Sequence, residues 1–138
     1  MFLYKSDVSM LCVLQPGRMS AVISGSGPAA ESTIKYATYG VVMQVDGKIV
    51  GLMPVHVKDC VHHITGMYSS NQASSPAHRG VVLVMLDMLL GELGGGSAIV
   101  DISAHGAEST CSDLLLQSGF IKKTSTKERL VFEYGTLR

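Results

Sequence analysis

The segment Val81–Leu93, VVLVMLDMLLGEL, restricts the fold more than any other part of the chain. It is longer than a typical strand, and only Asp87 and Glu92 interrupt its run of apolar and small residues. A helix apolar on nearly every side has to be covered on both faces. The chain therefore needs layers around this helix. With 138 residues it suits one domain, 1–138, burying roughly two-thirds of its unfolded surface. Gly94, in the following GGGS, suits the helix C-cap. Asp87 also ends the longest apolar run, Val81–Leu86, which is too short to span a membrane.

Composition removes several classes of partner. Hydrophobic residues make up 46% and charged residues 16%, a balance that packs into a core. Net charge is zero and Lys and Arg form no dense run, which argues against nucleic acid and anionic membrane. Cys12, Cys60 and Cys111 are odd in number and form no CxxC spacing, so a reducing compartment is expected. The opening MFLYKSDVSMLCVL is broken by Lys5 and Asp7 and is read as no signal peptide, giving a cytoplasmic expectation.

The remaining segments give an order of elements. YKSDVSMLCVLQPG predicts a short helix, capped at Ser6 or Asp7 and stopped by Pro16-Gly17. SGSGPAAEST predicts a loop, alone or with a weak helix over Pro28–Thr33. YGVVMQVDGKIVGLMPVHV is two β-rich runs around Asp46-Gly47, a strong hairpin signal. Pro54 marks the second run as kinked or at a sheet edge. CVHHITGMYSS is a third strand, and NQASSPAHRG a polar loop or strand end before the helix at Val81. AIVDIS reads as a central parallel strand. AESTCSDLLLQSGF is a late helix stopped at Gly119, and IKKTSTKERLVFEYG a last hairpin or long strand. The sum is an α/β domain, a mixed central sheet with helices on both faces and a right-handed crossover through Val81–Leu93.

Three of these stretches, VVMQVDGKIVGLMPV, PAHRG and AESTCSDLLLQSGF, in this order and spacing, resemble the Gcn5-related N-acetyltransferase (GNAT) superfamily. The resemblance covers about 39–134 and leaves 1–38 as a variable N-terminal region. It implies an N-acyltransferase that moves an acetyl or other acyl group from acyl-CoA to an amine. It would place the CoA pyrophosphate at Arg79 and the amides of Gly80, Val81 and Val82, with Val84 in the same turn. It would pair the pantetheine arm with Gln72 and Ser74. Proton removal would fall to Glu108, or to a water held by Ser69–Asn71 with Ser70 at its centre. The chain departs from the family pattern at three places. Val82 and Val84 stand where the loop usually has glycine, Leu115 where the late helix often has a tyrosine acid, and Glu108 where it often starts with asparagine. The resemblance therefore has a second implication, a non-catalytic GNAT-like module with an assembly partner or a homo-oligomeric state. Small phage-encoded proteins of this shape, some carried in virions, are similar in size.

Other residues carry competing readings. Glu108 suits a helix N-terminus as well as a general base. Cys111 is read as a buried thiol in preference to a nucleophile. Cys60 and His62 share a strand face but have no third or fourth ligand at a recognised spacing, so no metal is expected. Met43, Met53, Met67, Met85 and Met88 are expected in the core.

Overall fold

The computed structural model describes residues 6–11, 22, 28–71, 75–94, 96–104 and 107–135. Strand β1 (Ser6–Leu11) and helix α1 (Pro28–Lys35) precede a hairpin of β2 (Tyr39–Val45) and β3 (Lys48–Lys58). Asp46 and Gly47 form its turn with φ of 50° and 81°, the positive values that a tight hairpin turn demands. The predicted first helix is replaced by β1 over its described part. Val8 and Met10 pack against the core while Ser9 between them is exposed, a period of two. β2 would otherwise be an open edge, and β1 covers it from Ser6↔Val45 to Leu11↔Gly40. That long-range ladder outweighs a local capping signal.

The order continues with β4 (Val61–Ile64), β5 (Tyr68–Ser69), α2 (Pro76–Leu93) and β6 (Ser97–Ser103). A 3₁₀ turn (Ala107–Cys111), α3 (Ser112–Gln117), β7 (Ile121–Ser125) and β8 (Arg129–Tyr134) complete it. The sheet runs β1-β2-β3-β4-β6-β8-β7, with β5 on β3. Among the described residues only β4 and β6 pair in parallel, as expected for a strand reached by a helical crossover.

Strand parity sorts the core into two layers. Tyr39, Val41, Met53, Val55, Ile64, Val100 and Phe132 face α2 and α3. Val42, Ile49 and Leu52 face the other way and pack with Val22 and Ile34, the latter from α1. Met53, Met67 and Met85 are buried, Met43 and Met88 pack on the core margin, and Cys111 is wholly buried.

Helix α2 corrects two expectations. It begins at Pro76, five residues before the predicted start, because Ser75 caps it and Pro76 opens it. Ser75 Oγ accepts the His78 N–H at 3.2 Å. Nor is it covered all round: Leu83 and Val84 are 41% and 42% exposed. Its inner face lies close on β3. A β-carbon on Gly51 would stand 2.4 Å from Val81 Cγ1, so only glycine allows this approach. The late helix is likewise shorter than predicted, since Ala107–Cys111 winds as a 3₁₀ turn. It stops where expected: Gly119 has φ 103°, and the Phe120 N–H donates to the Leu115 carbonyl at 3.0 Å.

Candidate active-site cleft

Pro54 is the origin of the cleft. It lies inside β3, a strand flanked on both sides, not at a sheet edge. A proline has no N–H to give its neighbour, and the neighbour answers with a break. Val55 faces Ile64 and Leu52 faces Tyr68, so Met53 and Pro54 stand against Thr65, Gly66 and Met67. One residue too many makes a β-bulge, and the predicted third strand becomes β4 and β5. Thr65 is drawn onto β3, where its N–H (3.0 Å) and Oγ1 (3.2 Å) both donate to the Pro54 carbonyl. The Tyr68 ring folds over Gly66, where a β-carbon would meet it at 2.4 Å.

The consequence falls on the other side of β4. Its parallel ladder with β6 ends at Ile64↔Val100, and the two strands part beyond that point. Between them opens a cavity of about 250 Å³ lined by Ile64–Met67, Val100–Ser103 and Arg129. Val100 and Ile102 belong to the α2 side of the sheet, so Asp101 and Ser103 belong to the opposite side. Arg129 joins them diagonally from β8, with Nε 2.8 Å and Nη2 2.7 Å from Asp101 Oδ1.

The first turn of α2 lies against β5. Ser69 Oγ is 2.6 Å from Nδ1 of the buried His78 and accepts the Asn71 N–H at 3.1 Å. This pins the start of the loop that leads to the helix. Arg79 reaches across to α3: Nη1 donates to the Thr110 carbonyl (2.8 Å) and to Asp113 Oδ1 (2.9 Å), and Nη2 to Asp113 Oδ2. That bidentate pair holds the Asp113 carboxyl below its usual range and the Arg79 guanidinium above its own.

The residues singled out in the sequence are spread around this geometry. Ser70 is exposed just after β5, its N–H donating to the Val50 carbonyl at 2.9 Å. Gln72 and Ser74 lie outside the described residues. Gly80 and Val84 face outward on α2, while Val81 and Val82 are buried. Glu108 lies in the 3₁₀ turn before α3. Leu115 is fully buried. Cys60 lies in the β3–β4 turn with φ 64°, and His62 Nδ1 is 2.8 Å from the Tyr39 hydroxyl.

Sequence reasoning missed Thr65, Asp101, Ser103 and Arg129. Two of them left a local trace. Asp101 is the one charge inside the apolar SAIVDIS, and Thr65-Gly66 interrupts a β-rich run. Arg129 becomes a neighbour only through the pairing of β6 with β8.

A mixed sheet in which β4 and β6, the only parallel pair among the described residues, part beside a bulge, with a long helix following β5, is the GNAT fold. Solved structures agree. The chain is similar to an aminoglycoside 6'-acetyltransferase type Ii, at TM-score 0.73 and 9% identity over 94% of this chain and 96% of that one. It is similar to the ribosomal-protein-S18-alanine N-acetyltransferase of Escherichia coli, at TM-score 0.65 and 12% identity over 97% of each. Naa50 of Arabidopsis thaliana, solved with a bisubstrate analogue, gives TM-score 0.67 and 9% identity over 94% of this chain and 99% of that one. No protein-family profile matches the sequence, and no curated protein does. Among the described residues no helix is long and apolar enough to cross a membrane.

Proposed function

We propose that the chain is an N-acyltransferase that moves an acyl group from acyl-CoA to an amine. The observation that carries this reading is the gap between β4 and β6. In this reading an extended arm lies in that gap, which Thr65–Met67 line on one side and Asp101–Ser103 on the other. Bound acyl-CoA supplies an activated thioester. The chain's residues then hold the arm straight, keep the acyl carbon beside the polar wall of the cleft and orient the incoming nitrogen. Backbone amides along the bulged wall are the donors for carbonyl charge in this reading. In this reading Glu108 and Ser70 pass on the amine proton, and Gln72 and Ser74 pair with the arm.

The phosphate end is less well equipped than the cleft. At the α2 terminus Pro76 has no N–H, the His78 N–H is capped by Ser75 Oγ, and the Arg79 N–H donates to the Ser75 carbonyl at 3.2 Å. Gly80, Val81 and Val82 lie inside the helix, and the Arg79 side chain is engaged by Asp113. The reading therefore assigns most of the affinity to the cleft and makes Arg79 an auxiliary phosphate ligand.

Calorimetric titration with acetyl-CoA tests it, using the full chain, Ser103→Phe to fill the cleft and Arg79→Ala. Micromolar binding that Ser103→Phe abolishes and Arg79→Ala only weakens is expected. Absence of binding at millimolar acetyl-CoA would sink the proposal.

A further inference from the structure

The cleft has a charged wall on the sheet face away from α2 and α3. Asp101 and Arg129 line it together, with side chains 50% and 54% exposed, and the Thr65 and Ser103 residues border them. The Nε and Nη2 contacts of Arg129 both fall on Asp101 Oδ1, at 2.8 and 2.7 Å. A pair this exposed is weak and opens at little cost.

We infer that Asp101 and Arg129 select the acceptor, and that the acceptor is an amine that also carries a carboxylate, of the α-amino acid class. The inference names the substrate of the acyl-transfer reading and rests on it for the direction of the reaction. A simple amine drawn to Asp101 would meet the Arg129 cation beside it. A simple carboxylate drawn to Arg129 would meet Asp101. A molecule bearing both charges gives each side chain a partner of opposite sign, and replaces one ion pair with two.

The chemistry of transfer fits this wall. The ammonium nitrogen gives up two protons in all, bonds to the acyl carbon, and the carbon–sulfur bond breaks. One proton ends on the departing thiolate and one in solvent. The product amide is neutral at nitrogen, so its attraction to Asp101 is gone while its carboxylate remains. The pair can then close again, which favours release.

The test is a titration of the isotope-labelled full chain followed by the amide signals of residues 64–67 and 100–103. The probes are leucine, phenylalanine and lysine, each against its decarboxylated amine (isoamylamine, phenethylamine and cadaverine), with isocaproate as the lone carboxylate. At least one amino acid is expected to bind about tenfold more tightly than its amine, the effect of one charge-assisted contact. Arg129→Gln should bring amino acid and amine to equal affinity, and Asp101→Asn should bring leucine to the level of isocaproate. Amines or isocaproate binding as well as the amino acids would overturn the inference. So would discrimination that survives Arg129→Gln, or no response to any amino acid. Acetyl-CoA titrated into the same sample reports the acyl-transfer reading separately: its failure with amino-acid binding intact removes the reaction and leaves the binding site.

Discussion

Gly51→Ala should destabilise the protein through a single contact. The new β-carbon would lie 2.4 Å from Val81 Cγ1, 3.1 Å from Met85 Sδ and 3.3 Å from Met85 Cε. Met85 ends in a flexible chain and can give way. Val81 cannot, because a β-branched residue in a helix is held almost entirely in one χ1 rotamer. The strand beneath is fixed on both sides by β2 and by β4 with β5. The helix must therefore lift from the sheet. Overpacking of this kind costs about 1–3 kcal/mol. Unfolding entropy of about 2.1 cal/mol/K per residue gives a chain of this length about 0.3 kcal/mol/K, so Tm should fall by about 3–10 °C. Calorimetry or thermal circular dichroism reads the shift. Gly80→Ala on the same helix is the control: nothing lies within 4 Å of its β-carbon, so better helix propensity should stabilise by about 0.5–1 kcal/mol. Val81→Ala removes the clashing atom, so Gly51→Ala should cost much less in that background. An unchanged Tm in Gly51→Ala, or a full loss in the double variant, would refute the close approach of α2 to β3.

Two other consequences are open to measurement. Burial pushes the Tyr39 hydroxyl from 10.0 up to about 12, so the folded state keeps that proton longer than the unfolded chain does. Its stabilisation is therefore complete below pH 10 and lost as pH rises towards 12, and urea midpoints across this range should fall less steeply in Tyr39→Phe. Cys60 is exposed and Cys111 buried, so brief alkylation of the native protein followed by peptide mass mapping should modify Cys60 and spare Cys111 until denaturant is added. Equal labelling of the two would contradict the burial of Cys111 at the head of α3.

Local chemistry made some elements legible. Asp46-Gly47 demands positive φ, and AIVDIS is apolar enough to lie between two strands, so the hairpin and the parallel strand β6 could be read directly. The start of α2 was legible too, since Ser75-Pro76 is a cap followed by a first-turn proline. The run of valines drew the boundary five residues late. β1 was not legible, because Ser6–Leu11 becomes a strand only through the edge that β2 offers it. The cleft depends on counting. Pro54 and Thr65-Gly66 are visible as breakers, but that they face each other across a bulge follows from register alone. The Asp101–Arg129 pair spans 28 residues, and no local pattern announces it.

Arg79 was the sequence's strongest phosphate candidate, and the fold engages it elsewhere. Its partner sets the consequence. The Asp113 carboxyl is held below its usual range, first by its hydrogen bond to Arg79. An anion arriving at the α2 start must compete with a carboxylate already held in bidentate geometry. Asp113→Asn keeps the shape of that side chain and removes its charge. If Arg79 is an auxiliary phosphate ligand, its release should tighten acetyl-CoA binding by about tenfold at low salt, the effect of one charge-assisted contact. The gain should shrink as salt screens it, and Arg79→Ala in the same background should abolish it. Calorimetry at two ionic strengths separates these outcomes. An affinity indifferent to Asp113→Asn would mean that Arg79 serves only to tie α2 to α3, and that acyl-CoA is held by the cleft without it.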